Sequence, residues 1–125
     1  MCHEVLELYG RYSFPDCEVV SCVVDLPSTS YRLIINDCFD AETRSWRGTC
    51  HVMIRNWSAV DILTEDSSGE PATPSLEDFA GFSNVPCGSV SDHELRIEGF
   101  DASGVRWSKV TFFGASVEIE FSENI

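Results

Sequence analysis

The chain reads as a mostly β domain of α+β type: an antiparallel half-barrel or sandwich of about six to seven strands with one or two short helices. Three observations carry that expectation. Several runs are rich in Val, Ile and aromatic residues, which suit a pleated, half-buried surface. Within those runs apolar and polar residues alternate with a period of two. Between them lie clusters of Gly, Pro, Ser, Asn and Asp, the residues that make turns.

Residues 5–10 fit either a first helical turn or a short strand, and Gly10, Ser13 and Pro15 then interrupt the chain. Residues 18–26, Glu-Val-Val-Ser-Cys-Val-Val-Asp-Leu, are β-branched and largely apolar, which predicts a strand. Pro27-Ser28-Thr29-Ser30 is turn chemistry, and Leu33, Ile34 and Ile35 resume the apolar pattern, so residues 18–39 predict a hairpin. After a polar loop at 40–45, residues 49–57 alternate, with Cys50, Val52 and Ile54 on one face and His51, Met53 and Arg55 on the other. Asn56-Trp57-Ser58 breaks this strand, and residues 59–63 continue as a second strand or beyond a bulge.

Residues 64–74 form a loop. Ser75, followed by Glu77 and Asp78, has the signature of a helix N-cap with acids in the first turn, which predicts a short helix to about Phe82. Residues 94–100 alternate with Leu95 and Ile97 inward, 101–104 form a turn, and 105–113 return. Gly114 permits a tight connection before Val117, Ile119 and Phe121 alternate against Glu118 and Glu120. Three consecutive antiparallel strands, a meander, are expected here.

At 125 residues the chain fits one domain spanning 1–125. No stretch has the make-up of a signal peptide or a membrane span, so a soluble, cytoplasmic protein is expected. In that reducing compartment the six cysteines are expected to be free and mostly buried, Cys17, Cys22, Cys38 and Cys50 lying in or beside apolar runs.

Eight basic residues stand against 21 acidic ones, a net charge of −13. Residues 1–60 hold eight acids and five bases (−3), and residues 61–125 hold thirteen acids and three bases (−10). Such a field repels nucleic-acid phosphates and attracts a basic protein. Acidity that merely keeps the chain soluble is the plainer reading of the same number.

Catalytic patterns do not assemble. Cys2-His3 and Cys50-His51 are sequence neighbours, and on a strand neighbours face opposite ways. Asp92-His93 reads as a solvated turn. Cys17-x4-Cys22 lacks the spacing and second pair of a zinc site, and no nucleotide-binding or nucleophile-elbow motif occurs. The expectation is therefore no enzyme, no metal and no cofactor.

The acidic stretch from residue 61 to 78 contains Asp61, Glu65, Asp66, Glu70, Glu77 and Asp78 without a Lys or Arg. Like charges so close are stable only when solvated or met by a partner. The stretch is either a solubilising loop or a docking surface, and its spacing does not match a calcium loop. Trp46, Trp57 and Trp107 are candidate interface anchors, Trp57 being nearest the acidic stretch. Glu94 and Glu98 are expected to join the same surface, with Glu118 and Glu120 nearby.

Phe14-Pro15-Asp16-Cys17-Glu18-Val19, the later run Gly104-Val105-Arg106-Trp107-Ser108-Lys109-Val110-Thr111-Phe112, and Ala115-Ser116-Val117 give the chain an order of elements. That order resembles small, acidic, β-rich bacterial immunity proteins of contact-dependent growth inhibition and polymorphic toxin systems. Pro15 stands where those proteins often carry His. The resemblance implies a cytoplasmic inhibitor that binds one cognate toxin domain, often a basic nuclease, and carries no catalytic residues. Two other functions compete with it: a nucleic-acid-mimicking inhibitor of a DNA- or RNA-binding protein, and a small enzyme or ligand-binding β-barrel.

Overall fold

The computed structural model describes residues 4–122. In chain order the strands are β1 (Glu7–Leu8), β2 (Tyr12–Ser13), β3 (Val19–Asp25), β4 (Ser30–Ile35), β5 (Phe39–Asp40), β6 (Ser45–Trp46) and β7 (Cys50–Arg55). They continue as β8 (Ala59–Glu65), β9 (Pro71–Ala72), β10 (Cys87–Val90), β11 (Glu94–Phe100), β12 (Trp107–Phe113) and β13 (Ser116–Phe121). Three antiparallel sheets result, none closed: β1-β2-β5-β6, β10-β11-β12-β8-β9 and β13-β7-β4-β3. A closed ligand-binding barrel is thereby excluded as the architecture.

The expected hairpin at 18–39 is β3–β4, closed by Asp25↔Ser30. The alternation at 49–57 is β7, whose Cys50, Val52 and Ile54 are all buried. The expected short helices are not formed. Ser75 does cap a turn, with the Asp78 N–H donating to its Oγ at 3.3 Å and the Phe79 N–H to its carbonyl at 2.9 Å. The chain then leaves that turn because the backbone of Phe82 bridges Asp101 and the Ser83 N–H donates to the Phe100 carbonyl at 2.9 Å. Tertiary strand pairing takes the groups that another helical turn would need.

The meander is corrected too. β11 pairs with β12 in register Ile97↔Val110, but β13 pairs with β7 in the opposite sheet, Ile119↔Val52. Gly114, at φ +73°, makes the turn that carries the chain across, a conformation in which a side chain is strained.

The four- and five-stranded sheets face each other across one core. Tyr31, Leu33, Ile35, Val52 and Ile54 come from one side and Ile62, Leu95, Ile97, Val110 and Phe112 from the other. Phe112 links them, its ring 5.7 Å from Tyr31 and 5.1 Å from Trp57. Burial of such side chains contributes roughly 1.5–3 kcal/mol each, the main favourable term in the fold.

The small sheet is fastened by ions. Asp40 is wholly buried and accepts the Arg11 guanidinium as a fork, Nε and Nη2 each at 2.8 Å, and Arg47 Nη1 at 2.9 Å. The backbone N–H groups of Glu42 and Thr43 complete its shell. Arg11 chiefly, then Arg47 and these N–H groups, hold the Asp40 carboxyl well below the usual carboxylate range. Arg47 also lies over the Phe121 ring at 4.2 Å, tying this sheet to the end of β13.

Cys17, Cys22, Cys38 and Cys50 are free, as expected, and all but Cys22 are buried. Burial, with Asp37 next, pushes the Cys17 thiol up to about 11. Cys87 corrects the expectation that all six are free: it is disulfide-bonded, on a strand whose edge Val5 bridges. Cys2 and His3 fall outside the described residues. No helix among the described residues is long and apolar enough to cross a membrane.

Candidate functional site

The strand period decides which acidic residues can act together. On β8, Ile62 and Thr64 point into the core, so Asp61, Leu63 and Glu65 face out. On β11, Leu95 and Ile97 are buried, leaving Glu94, Arg96, Glu98 and Phe100 on the same outer face. β12 lies between them and contributes Trp107, Lys109 and Thr111. The pairing places Glu98 opposite Lys109 opposite Leu63, and Phe100 opposite Trp107 opposite Glu65.

Four of the expected residues, Asp61, Glu65, Glu94 and Glu98, thus share the outer face of the five-stranded sheet. Arg96 Nε donates to Glu98 at 3.1 Å and Arg96 Nη2 reaches Glu4 at 3.5 Å. The Arg96–Glu98 pair is half-buried and the Glu4 end of the other is exposed; pairs this open to solvent contribute modestly, so the face is held chiefly by its β-ladder.

Asp66 and Glu70 sit at the β8–β9 connection, where Asp66 Oδ1 accepts Ser68 N–H and Oγ–H at 2.9 and 2.6 Å and Glu70 N–H at 2.9 Å. Those bonds, the Ser68 hydroxyl first, hold the Asp66 carboxyl below its ordinary value. Asp66 therefore shapes a tight turn. Glu77 and Asp78 occupy the single turn after Pro74, with Asp78 accepting the Ser75 hydroxyl at 3.0 Å. Glu118 and Glu120 are on β13, in the other large sheet, and do not extend this face. Glu118 meets Arg55 at 3.3 Å, and both glutamates line a separate open groove with Tyr9 and Tyr12.

Trp57 is half-buried and packs on Phe112 at the core margin. Trp107, likewise half-buried, stands on the outer face of the five-stranded sheet. Its indole meets the Phe100 ring at 5.2 Å and 90°, and Phe100 is 40% exposed. Trp107 lines a small hollow with Glu65, Glu98, Leu63 and Lys109 on one side. On the other it lines a cavity of about 390 Å³ shared with Phe14, Asp16 and Asn84. The signal was present in the strand parity, since an odd-numbered residue beside inward Val110 and Phe112 must face out. Trp46, 53% exposed, meets the Phe39 ring edge to face in the small sheet.

The described residues contain no group of three or more His, Cys, Asp and Glu side chains placed to hold a metal ion. A large hollow of about 410 Å³ runs along Asp61, Leu63 and Lys109 beneath Thr73 and Pro74. Chemically, the face offers carboxylates and aromatic rings: it can receive cationic and planar groups. No family model, curated protein or solved structure matches the chain.

Proposed function

We propose that this chain is an immunity-type inhibitor that binds a cognate basic toxin domain, such as a nuclease, through the outer face of its five-stranded sheet. The observation that supports this reading is that Asp61, Glu65, Glu94 and Glu98 share one sheet face, with Glu65 and Glu98 beside the Phe100–Trp107 pair. Aromatic anchors that a partner would bury, with a polar rim around them, are the composition of interface centres. The net charge of −13 adds long-range attraction for a basic surface. Such an inhibitor acts by occupancy, covering the toxin's basic site, and needs no catalytic group of its own.

The test is co-expression with the toxin domain encoded beside this chain's gene, followed by capture at low and high salt. Rescue of growth with salt-sensitive capture is expected. A metabolic operon in place of a toxin gene, or no binding at low salt, overturns the reading. Capture of a DNA- or RNA-binding protein would instead make the chain a nucleic-acid-mimicking decoy.

A further inference from the structure

The aromatic cavity beside the acidic face has a chemistry of its own. Phe14, Pro86, Phe100 and Trp107 wall it, and Asp16 and Asn84 form its polar edge. Phe100 and Trp107 stand perpendicular, so one ring presents a face where the other presents an edge. Asp16 is carried on a tight turn: Cys17 N–H donates to the Phe14 carbonyl at 3.3 Å and Asp16 adopts φ +57°. Phe14 and Cys17 on either side are buried, which leaves Asp16 projecting at the rim. Asn84 is pinned across from it, its Oδ1 accepting the Phe100 N–H at 2.8 Å. A Cβ at Gly99 would run into the Asn84 carbonyl, so this close approach depends on glycine.

A second hollow of about 440 Å³ shares Asp16, Cys17 and Asn84 and adds Glu18. The two make one groove, aromatic at one end and carboxylate-bearing at the other, and no lysine or arginine lines either part. Rings and carboxylates together suit one class of ligand group. A planar guanidinium stacks on an indole face while its fork meets a carboxylate, which a compact ammonium does less well.

We propose that this groove is a receptor for the guanidinium of an arginine side chain presented by a basic partner protein, stacked against Trp107 and paired with Asp16. The inference deepens the proposed function, naming the partner's anchoring group. Its test uses no toxin, so the two can fail separately.

Backbone and indole N–H spectra of the ¹⁵N-labelled chain, with Trp107→Phe used to assign the indole, are followed while N-acetyl-arginine amide is added. Saturable shifts of the Trp107 indole and the Phe100 and Asn84 amides in the millimolar range are expected. The neutral isostere N-acetyl-citrulline amide should bind about ten-fold more weakly, and Asp16→Asn should weaken arginine by a similar factor. Asn tolerates the left-handed conformation at 16, and Phe100→Leu provides a second variant that should also weaken binding. A blocked tripeptide carrying one arginine should bind at least as tightly as free arginine. Equal binding of citrulline, an unchanged affinity in both variants, or no saturable shift overturns the proposal. Tighter binding of free arginine than of the tripeptide overturns a partner side chain as the source.

Discussion

Replacing Phe112 by Ala tests whether the two large sheets share one core. Phe112 is fully buried, and its ring contacts Tyr31 and Trp57, residues contributed from the opposite sheet and the β7–β8 connection. Truncating a buried Phe costs about 3–5 kcal/mol through lost transfer energy and the cavity left behind. Of that, roughly 0.5–1.5 kcal/mol belongs to each aromatic pair. A chain of 125 residues unfolds with an entropy near 260 cal/mol/K by the usual per-residue value, so the melting temperature should fall by about 12–20 °C. Phe112→Leu keeps most of the apolar volume and should cost about 1–3 kcal/mol, chiefly the two ring pairs. Thr111→Ala, on the outer face of the same strand, should change stability by less than about 0.5 kcal/mol. Urea unfolding followed by tryptophan fluorescence gives the midpoint and slope for each variant. A loss below about 1 kcal/mol for Phe112→Ala, or equal losses at 111 and 112, would refute a core shared through Phe112.

Three further outcomes follow from particular residues. Because the folded Asp40 carboxyl lies below its ordinary value of 3.8, its contribution is fully present above that pH and is lost as pH falls through the lower folded value. Asp40→Asn should therefore melt well below wild type at pH 7, with the gap narrowing below about pH 4; a gap independent of pH contradicts the ion cluster. Thiol titration in urea should count fewer thiols before reduction than the six found after it, because Cys87 is disulfide-bonded. In the native protein Cys22 should alkylate first, since the other three free thiols are buried; six thiols before reduction would remove the Cys87 disulfide. Tyr31→Phe should change stability by no more than about 1 kcal/mol, because the buried Tyr31 hydroxyl has at most the weakly bonding Cys22 thiol as its partner. A loss above about 1 kcal/mol in a melting scan would show that this hydroxyl is bonded.

Much of the fold is legible in local pattern. The alternation of Cys50, Val52 and Ile54, and of Leu95 and Ile97, reports which face is buried, and the structure buries all five. The same alternation says nothing about which strand lies alongside. Val117, Ile119 and Phe121 read identically whether β13 pairs with β12 or, as it does, with β7. Ser75 carries a real capping signal, but a cap cannot lengthen a turn whose following backbone is claimed by Asp101 and Phe100.

The site was legible in composition and not in arrangement. Asp61 and Glu65 are two strands away from Glu98, and only the register of β8, β12 and β11 joins them. Trp57 is close in sequence to the acidic stretch, yet Trp107 stands between Glu65 and Phe100 in space. Asp40 escaped notice as a buried ion because its partners Arg11 and Arg47 approach from separate segments.

The most direct test of the acidic-face account is the association rate of the cognate toxin domain, measured by stopped flow at two salt concentrations. Wild type is compared with Asp61→Asn/Glu65→Gln/Glu94→Gln/Glu98→Gln. Electrostatic steering predicts that the variant associates at least about ten-fold more slowly at low salt and that most of this difference disappears at high salt. An unchanged association rate at low salt would place the interface on another face and contradict the account.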